Sequence, residues 1–273
     1  MATEPINFEK ISCYAQSQVE AEFIYKEIFE DHCYDLPNAS ISPFIIDAGA
    51  NIGLMSLYMK QRYPSSKILA FEPAPDTFDI LRRNLDLHNA GDLTYYPKLP
   101  GNSTLVPEEK QHIYGEAVRV HGQEAVDQLF GDTFKTAQEV DVKLQRLSHF
   151  LHNRSGIEAI DLLKIDVEGA ELDVLRGLDD VHWCLIQNII LEGCEASGTR
   201  ATIEELLKSK GFSFTREAAA WAPRDFYMLR AYRKVLVPMR EQINPGLCTL
   251  PVGYDGEDGE WAVALGQDEG CTR

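Results

Sequence analysis

The chain has no CxxC pair, no apolar run long enough to cross a bilayer, no N-terminal signal pattern and a shortage of positive charge. Its six cysteines, Cys13, Cys33, Cys184, Cys194, Cys248 and Cys271, lack the paired spacing of a thiolate metal site or a dithiol redox centre. They are expected to be reduced thiols. With no signal region or long apolar span, the expected location is the cytoplasm and no membrane partner is expected. Only 26 Lys and Arg stand against 43 Asp and Glu, a net charge of −17. Such a surface repels phosphate backbones and argues against nucleic acid as a substrate. What remains is ordinary for an enzyme of one main domain: 273 residues, 44% of them hydrophobic, enough to bury a large core.

Residues 44–74 read FIIDAGANIGLMSLYMKQRYPSSKILAFEPA. Phe44, Ile45 and Ile46 suit a strand buried on both faces of a parallel sheet, which puts Asp47 at its carboxyl end. Gly49 and Gly53 allow a sharp turn and close approach of a ligand, and Asn51 between them tolerates unusual dihedrals. A helix over roughly 53–62 then points its positive end at the same crevice, where a carboxylate is favoured. A second strand, 67–71, ends at Glu72, about twenty residues past the glycine turn, the separation at which a βαβ unit places an acid on ribose hydroxyls. The expected cofactor site is Asp47, Gly49, Ala50, Asn51 and Gly53 with Glu72 and Pro73, and the expected cofactor is S-adenosylmethionine. A dinucleotide enzyme fits less well, because the turn has two glycines rather than three and Asp47 would repel a pyrophosphate.

Before this block, residues 17–32 have helical spacing in Val19, Phe23, Ile24, Ile28 and Phe29, a cover helix within an N-terminal segment of 1–43. After it, a helix is expected over 76–89 and a short strand over 93–96. Residues 97–138, with one helical stretch near 124–130, read as a lid or a solvated insertion. The main domain is expected to span 44–235. Residues 236–273 form an acidic extension whose readings are partial disorder, a cover for the sheet edge, or self-association into a homodimer.

A second informative block, IDLLKIDVEGAELDVLRGL at 160–178, is an apolar strand running into Asp166 and then a helix. Asp166 and Glu168 lie where an open α/β sheet forms its reaction crevice, although both also suit a helix start. A further strand, 185–191, is expected to end at Glu192. Asp166, Glu168 and Glu192 offer oxygen ligands to a hard cation, but no histidine joins them at ligand-like spacing and no metal is expected.

DAGANIG, AFEPAPDTFDILRRNLDLH and DLLKIDVEGAELDVLRGL, in this order and spacing, resemble the FkbM family of S-adenosylmethionine-dependent methyltransferases over roughly residues 22–192. The resemblance implies a Rossmann-like class I methyltransferase, α/β, with a seven-stranded, mostly parallel sheet flanked by helices and one reversed strand. Two departures accompany it. Only Ala90, Gly91, Asp92, Leu93 and Thr94 occupy the interval where relatives carry a strand and an acid that clamp adenine, so the third strand is expected to be shortened or missing. His149 stands where relatives more often have an acid.

The reaction implied is attack by an acceptor oxygen on the sulfonium methyl, with Asp166, Glu168 and His149 as candidate bases. The expected substrate is a hydroxyl of a small metabolite or biosynthetic intermediate. A carboxyl acceptor on an organic acid would need a cationic clamp instead, from Arg146, Arg154, Lys98 or Arg119. A catalytically weak donor-binding homologue is the other reading, suggested by the shortened adenine region.

Overall fold

The computed structural model describes residues 4–36, 39–100, 144–152, 154, 156–218 and 226–233. Arg119, the helical stretch near 124–130, nearly all of the expected lid and the acidic extension lie outside them.

Two short antiparallel strands, β1 (Ile6–Asn7) and β2 (Ser12–Cys13), precede helix α1 (Gln18–Tyr25) and a π turn, Lys26–Glu30. Then come β3 (Phe44–Ala48), α2 (Leu54–Arg62), β4 (Lys67–Phe71), α3 (Pro75–Leu87) and β5 (Thr94–Tyr96). A two-residue parallel pair, β6 (Leu99–Pro100) with β7 (Leu144–Gln145), brackets residues 101–143. The chain continues through α4 (Leu147–His152), β8 (Leu162–Ile165), α5 (Glu171–Arg176), α6 (Asp180–Trp183), β9 (Asn188–Cys194), α7 (Arg200–Ser209), β10 (Phe212–Ala218) and β11 (Phe226–Arg233).

Seven of these strands form one sheet in the order β5-β4-β3-β8-β9-β11-β10, parallel except for β11, which runs against both neighbours. Chain order reverses between β3 and β8, so the carboxyl ends of those two strands frame a crevice at the switch point. Alternation along the strands divides the core: Ile45, Ile68, Leu162 and Ile190 face α1 to α3, whereas Ile46, Leu69, Leu163 and Leu191 face α4 to α7. Both faces are covered, which is why the strands read as continuous apolar runs. Each fully buried aliphatic side chain contributes roughly 1.5–3 kcal/mol relative to exposure.

The N-terminal cover is tied down by Asn84 on α3. This buried side chain accepts from the Tyr14 amide at 2.6 Å and donates to the carbonyls of Tyr14 at 3.0 Å and Ile52 at 2.8 Å. Both of its polar atoms are satisfied, and the cover is thereby joined to the glycine turn.

Several expectations shift. The third strand is shortened rather than missing: β5 has three residues and pairs in parallel with β4 at the sheet edge. The cover helix buries Ala21, Ile24 and Tyr25 and leaves Val19 and Phe23 exposed. It then widens into the π turn, which carries Glu27 inward with Ile28 and Phe29. Glu192 lies inside β9 rather than at its end, since antiparallel pairing with β11 extends the strand to Cys194.

Candidate active site

The turn after β3 is built from backbone. The amides of Gly49 and Ala50 both donate to the Phe71 carbonyl, at 3.0 and 2.8 Å, and the Gly53 amide donates to Ala50 at 2.8 Å. Gly49, Asn51 and Gly53 have φ of 81°, 48° and 87°, the left-handed region that disfavours most side chains. Gly49 is required by its neighbour as well as its dihedral, for a Cβ there would lie 1.7 Å from the Asp166 carbonyl oxygen. The obstruction is therefore the adjacent strand, not a ligand. Glu72, at the end of β4, accepts from the Asn51 amide at 3.0 Å and the Ala74 amide at 2.8 Å. Burial pushes its carboxyl up to about 7, against the pull of those two amides.

Beneath the turn, Asp47 and Lys164 are register partners on β3 and β8 and face the side covered by α1 and α2. Asp47 is fully buried: Ser56 Oγ donates to its Oδ2 at 2.7 Å, and Lys164 Nζ stands 3.4 Å from its Oδ1. Lys164 Nζ also donates to the Gly49 carbonyl at 2.6 Å and lies 3.2 Å from Asp166 Oδ2. One buried ammonium thus holds the turn, the acid below it and the acid beside it. Burial alone would lower the Lys164 pKa, but Asp166, Asp47 and Glu27 outweigh it and hold the ammonium above its ordinary range.

The π turn and the segment after it close the cluster. Tyr34, buried, donates to Glu27 Oε1 at 2.8 Å, and its hydroxyl lies 3.5 Å from Asp166 Oδ2. Burial, then the charge of Asp166, pushes Glu27 up to about 7, with Tyr34 and Lys164 opposing. Glu192 is held well above the carboxylate range by burial and by Asp166, Glu27 and Glu168.

Asp166, Glu168 and Glu192 line one depression with Gly169, Gly193 and Phe226. Glu168 itself adopts φ 51°, a strained conformation in the turn that ends β8. Glu171 is buried and accepts from the Gly169 amide at 2.7 Å, the helix-start role its position suggests. His149 stands apart on the exposed side of α4, its ring edge-on to Phe150 at 5.7 Å. The candidate clamp disperses: Arg146 donates to Asp179 at 2.7 Å, Arg154 to the Tyr96 hydroxyl at 3.1 Å, and Lys98 to Gln145 at 2.7 Å. Among the described residues, the one group of three or more His, Cys, Asp or Glu with ligand atoms within 4.8 Å of one another lies elsewhere.

Sequence reasoning missed Lys164 and Glu27. A lysine inside the apolar run LLKI was the available signal for the first, and an acid within an apolar helical stretch for the second.

A seven-stranded sheet with one reversed strand, a glycine turn at the switch point and an acid closing the next strand define a class I methyltransferase, for which S-adenosylmethionine is the implied methyl donor. The chain belongs to the FkbM methyltransferase family, whose Methyltransferase FkbM domain matches residues 47–214. It is 52% identical to methyltransferase sdnD of Sordaria araneosa, over 85% of this chain and 97% of that one. It is 33% identical to the 31-O-demethyl-FK506 methyltransferase FkbM of Streptomyces tacrolimicus, over 72% of this chain and 84% of the relative. Among solved structures, the FkbM methyltransferase of Methylobacillus flagellatus shares the fold, with a TM-score of 0.50 and 14% identity over 76% of this chain and 47% of that one. Among the described residues no helix is long and apolar enough to cross a membrane.

Proposed function

We propose that the protein methylates a hydroxyl oxygen of a small metabolite or biosynthetic intermediate. The acid-lined depression at Asp166, Glu168 and Glu192 carries this reading. A carboxylate acceptor would meet like charge there, and three of the four cations that might clamp it are engaged with Asp179, Tyr96 and Gln145. A hydroxyl acceptor instead finds acceptors for its proton. The relative named for 31-O methylation of FK506 supports oxygen as the atom methylated.

The donor site fits the group. Gly49, Ala50, Asn51 and Gly53 would hold its methionyl end and Glu72 its ribose hydroxyls, with Pro73 turning the chain away behind that acid. Asp47 supports the turn from beneath through Lys164, which supplies the cation that Asp47 faces. When bound, S-adenosylmethionine supplies a methyl group already activated on a sulfonium. Asp166 takes the acceptor proton as the acceptor oxygen gains the methyl group; a positioned base of this kind contributes about 10²–10⁴-fold. Tyr34 links Asp166 to Glu27, whose carboxyl lies at about 7, so the proton has a second site to occupy. Alignment of the acceptor contributes more, up to roughly 7–11 kcal/mol when well held. Glu168 and His149 rank behind Asp166, the first for its strained turn and the second for its exposure. We place the reaction in the cytoplasm, a reading supported by Cys13, Cys33 and Cys184, which form no disulfide among the described residues.

The test is mass spectrometry of S-adenosylhomocysteine release against a panel of hydroxyl and carboxyl acceptors. Turnover with hydroxyl compounds and a product one methyl heavier is expected. Turnover confined to carboxylic acids, or none despite tight donor binding, overturns the proposal.

A further inference from the structure

Away from the crevice, where the chain approaches the amino ends of β8 and β9, His152, Asp179 and His182 converge. One ligand atom from each lies within 4.8 Å of the other two, and His152 Nε2 is 3.8 Å from Asp179 Oδ2. The imidazole rings stand nearly perpendicular, at 77°, with centroids 4.6 Å apart. His152 ends α4, Asp179 caps α6 and His182 lies within α6, so two helices contribute.

Each inner ligand is oriented by a second group. Ser148 Oγ lies 2.7 Å from His182 Nδ1 and accepts from the Asp179 amide at 2.6 Å. Arg146 donates to Asp179 Oδ1 at 2.7 Å, which leaves Oδ2 turned toward His152. Hydrogen bonds on the far atoms of ligands are what orient the ligating groups in metal sites. His152 is exposed, packs its ring edge-on to His182 and keeps its Nε2 3.8 Å from Asp179, a separation that a bound ion would bridge.

We propose that His152, Asp179 and His182 form a binding site for a borderline divalent transition ion such as Zn²⁺, with Nε2 of His182, Nε2 of His152 and Oδ2 of Asp179 as ligands and the remaining position open to water. Two imidazoles and one carboxylate suit zinc, cobalt or nickel, whereas magnesium and calcium prefer oxygen alone. Bound there, the ion staples α4, the first helix after residues 101–143, to the helix that leads into β9. This site is independent of the methyl-transfer reading.

The test titrates tag-free, full-length protein with Co²⁺ followed by visible absorption, and with Zn²⁺ followed by calorimetry and thermal melting. Exposed Cys184, close in sequence, is the competing ligand, so the variants are His152→Ala and Cys184→Ser. One equivalent of Co²⁺ is expected, with d–d bands and no thiolate charge-transfer band. Affinity should fall at least about tenfold in His152→Ala and stay unchanged in Cys184→Ser. Zn²⁺, but not Mg²⁺, should raise the melting temperature of the wild type, a readout that needs no variant. Absence of a one-equivalent site in the wild type, equal affinity in His152→Ala, or loss in Cys184→Ser overturns the proposal.

Discussion

The two halves of the crevice are built on different principles. The half proposed to hold the donor is a short stretch of backbone: glycine dihedrals, three turn amides and one acid, Glu72, reached across 21 residues of sequence. The half proposed to receive the acceptor is side chains around one buried ammonium, joined across 115 residues from Lys164 to Gly49 and 132 from Tyr34 to Asp166. Steric geometry governs the first and charge balance the second. Changes of volume should therefore damage the donor half most, and changes of charge or proton count the acceptor half.

The largest effect belongs to Gly49→Ala. A Cβ 1.7 Å from the Asp166 carbonyl cannot be relieved by a rotamer change, and φ 81° adds strain. A loss above about 4 kcal/mol is expected, lowering the melting temperature by roughly 10 °C or more and eliminating donor binding. Near-normal melting would show that the turn tolerates a side chain and break the contrast. Next comes Asp47→Asn, which keeps volume and removes charge. Lys164 then faces a neutral partner in a buried site, at a cost of about 3 kcal/mol in chemical denaturation, with weaker donor binding through the Gly49 contact. Unchanged donor affinity in that variant would count against the linkage of Asp47 to the turn.

Glu27→Gln sharpens the contrast through pH. Burial raises the Glu27 carboxyl from 4.5 to about 7, so its contribution to stability is complete below 4.5 and is lost as pH rises through 7. Glutamine cannot ionise. The melting temperature of the variant relative to wild type should therefore rise between pH 4.5 and 7, by an amount worth on the order of 2 to 3 kcal/mol. A difference independent of pH would remove Glu27 from the buried cluster. The smallest effect is expected at Glu72, raised to about 7 as well. Ribose hydroxyls favour its ionised form, so S-adenosylhomocysteine affinity should fall as pH drops below 7, about tenfold between pH 8 and 6, and Glu72→Gln should flatten that profile.

The same contrast explains what could be read from the chain beforehand. Asp47, Gly49, Asn51, Gly53 and Glu72 sit in one strand–helix–strand unit, where spacing alone brings them together. The parallel strands of the sheet were legible for the same reason, since apolar runs and breaks mark each of them locally. Glu27 was not, because its inward position depends on a π turn that shifts the helical register by one residue. Tyr34 acquires its role only when the cover packs on β8. Glu192 looked like a strand-end acid because pairing with β11, which lengthens β9, is not written in β9 itself.

The most direct test of the division is Asp166→Asn, with donor affinity measured by calorimetry and methyl transfer by single-turnover kinetics. Unchanged S-adenosylhomocysteine affinity and a transfer rate lowered about 10²–10⁴-fold are expected. Weakened donor binding with an intact transfer rate would show instead that Asp166 serves the donor and not the acceptor.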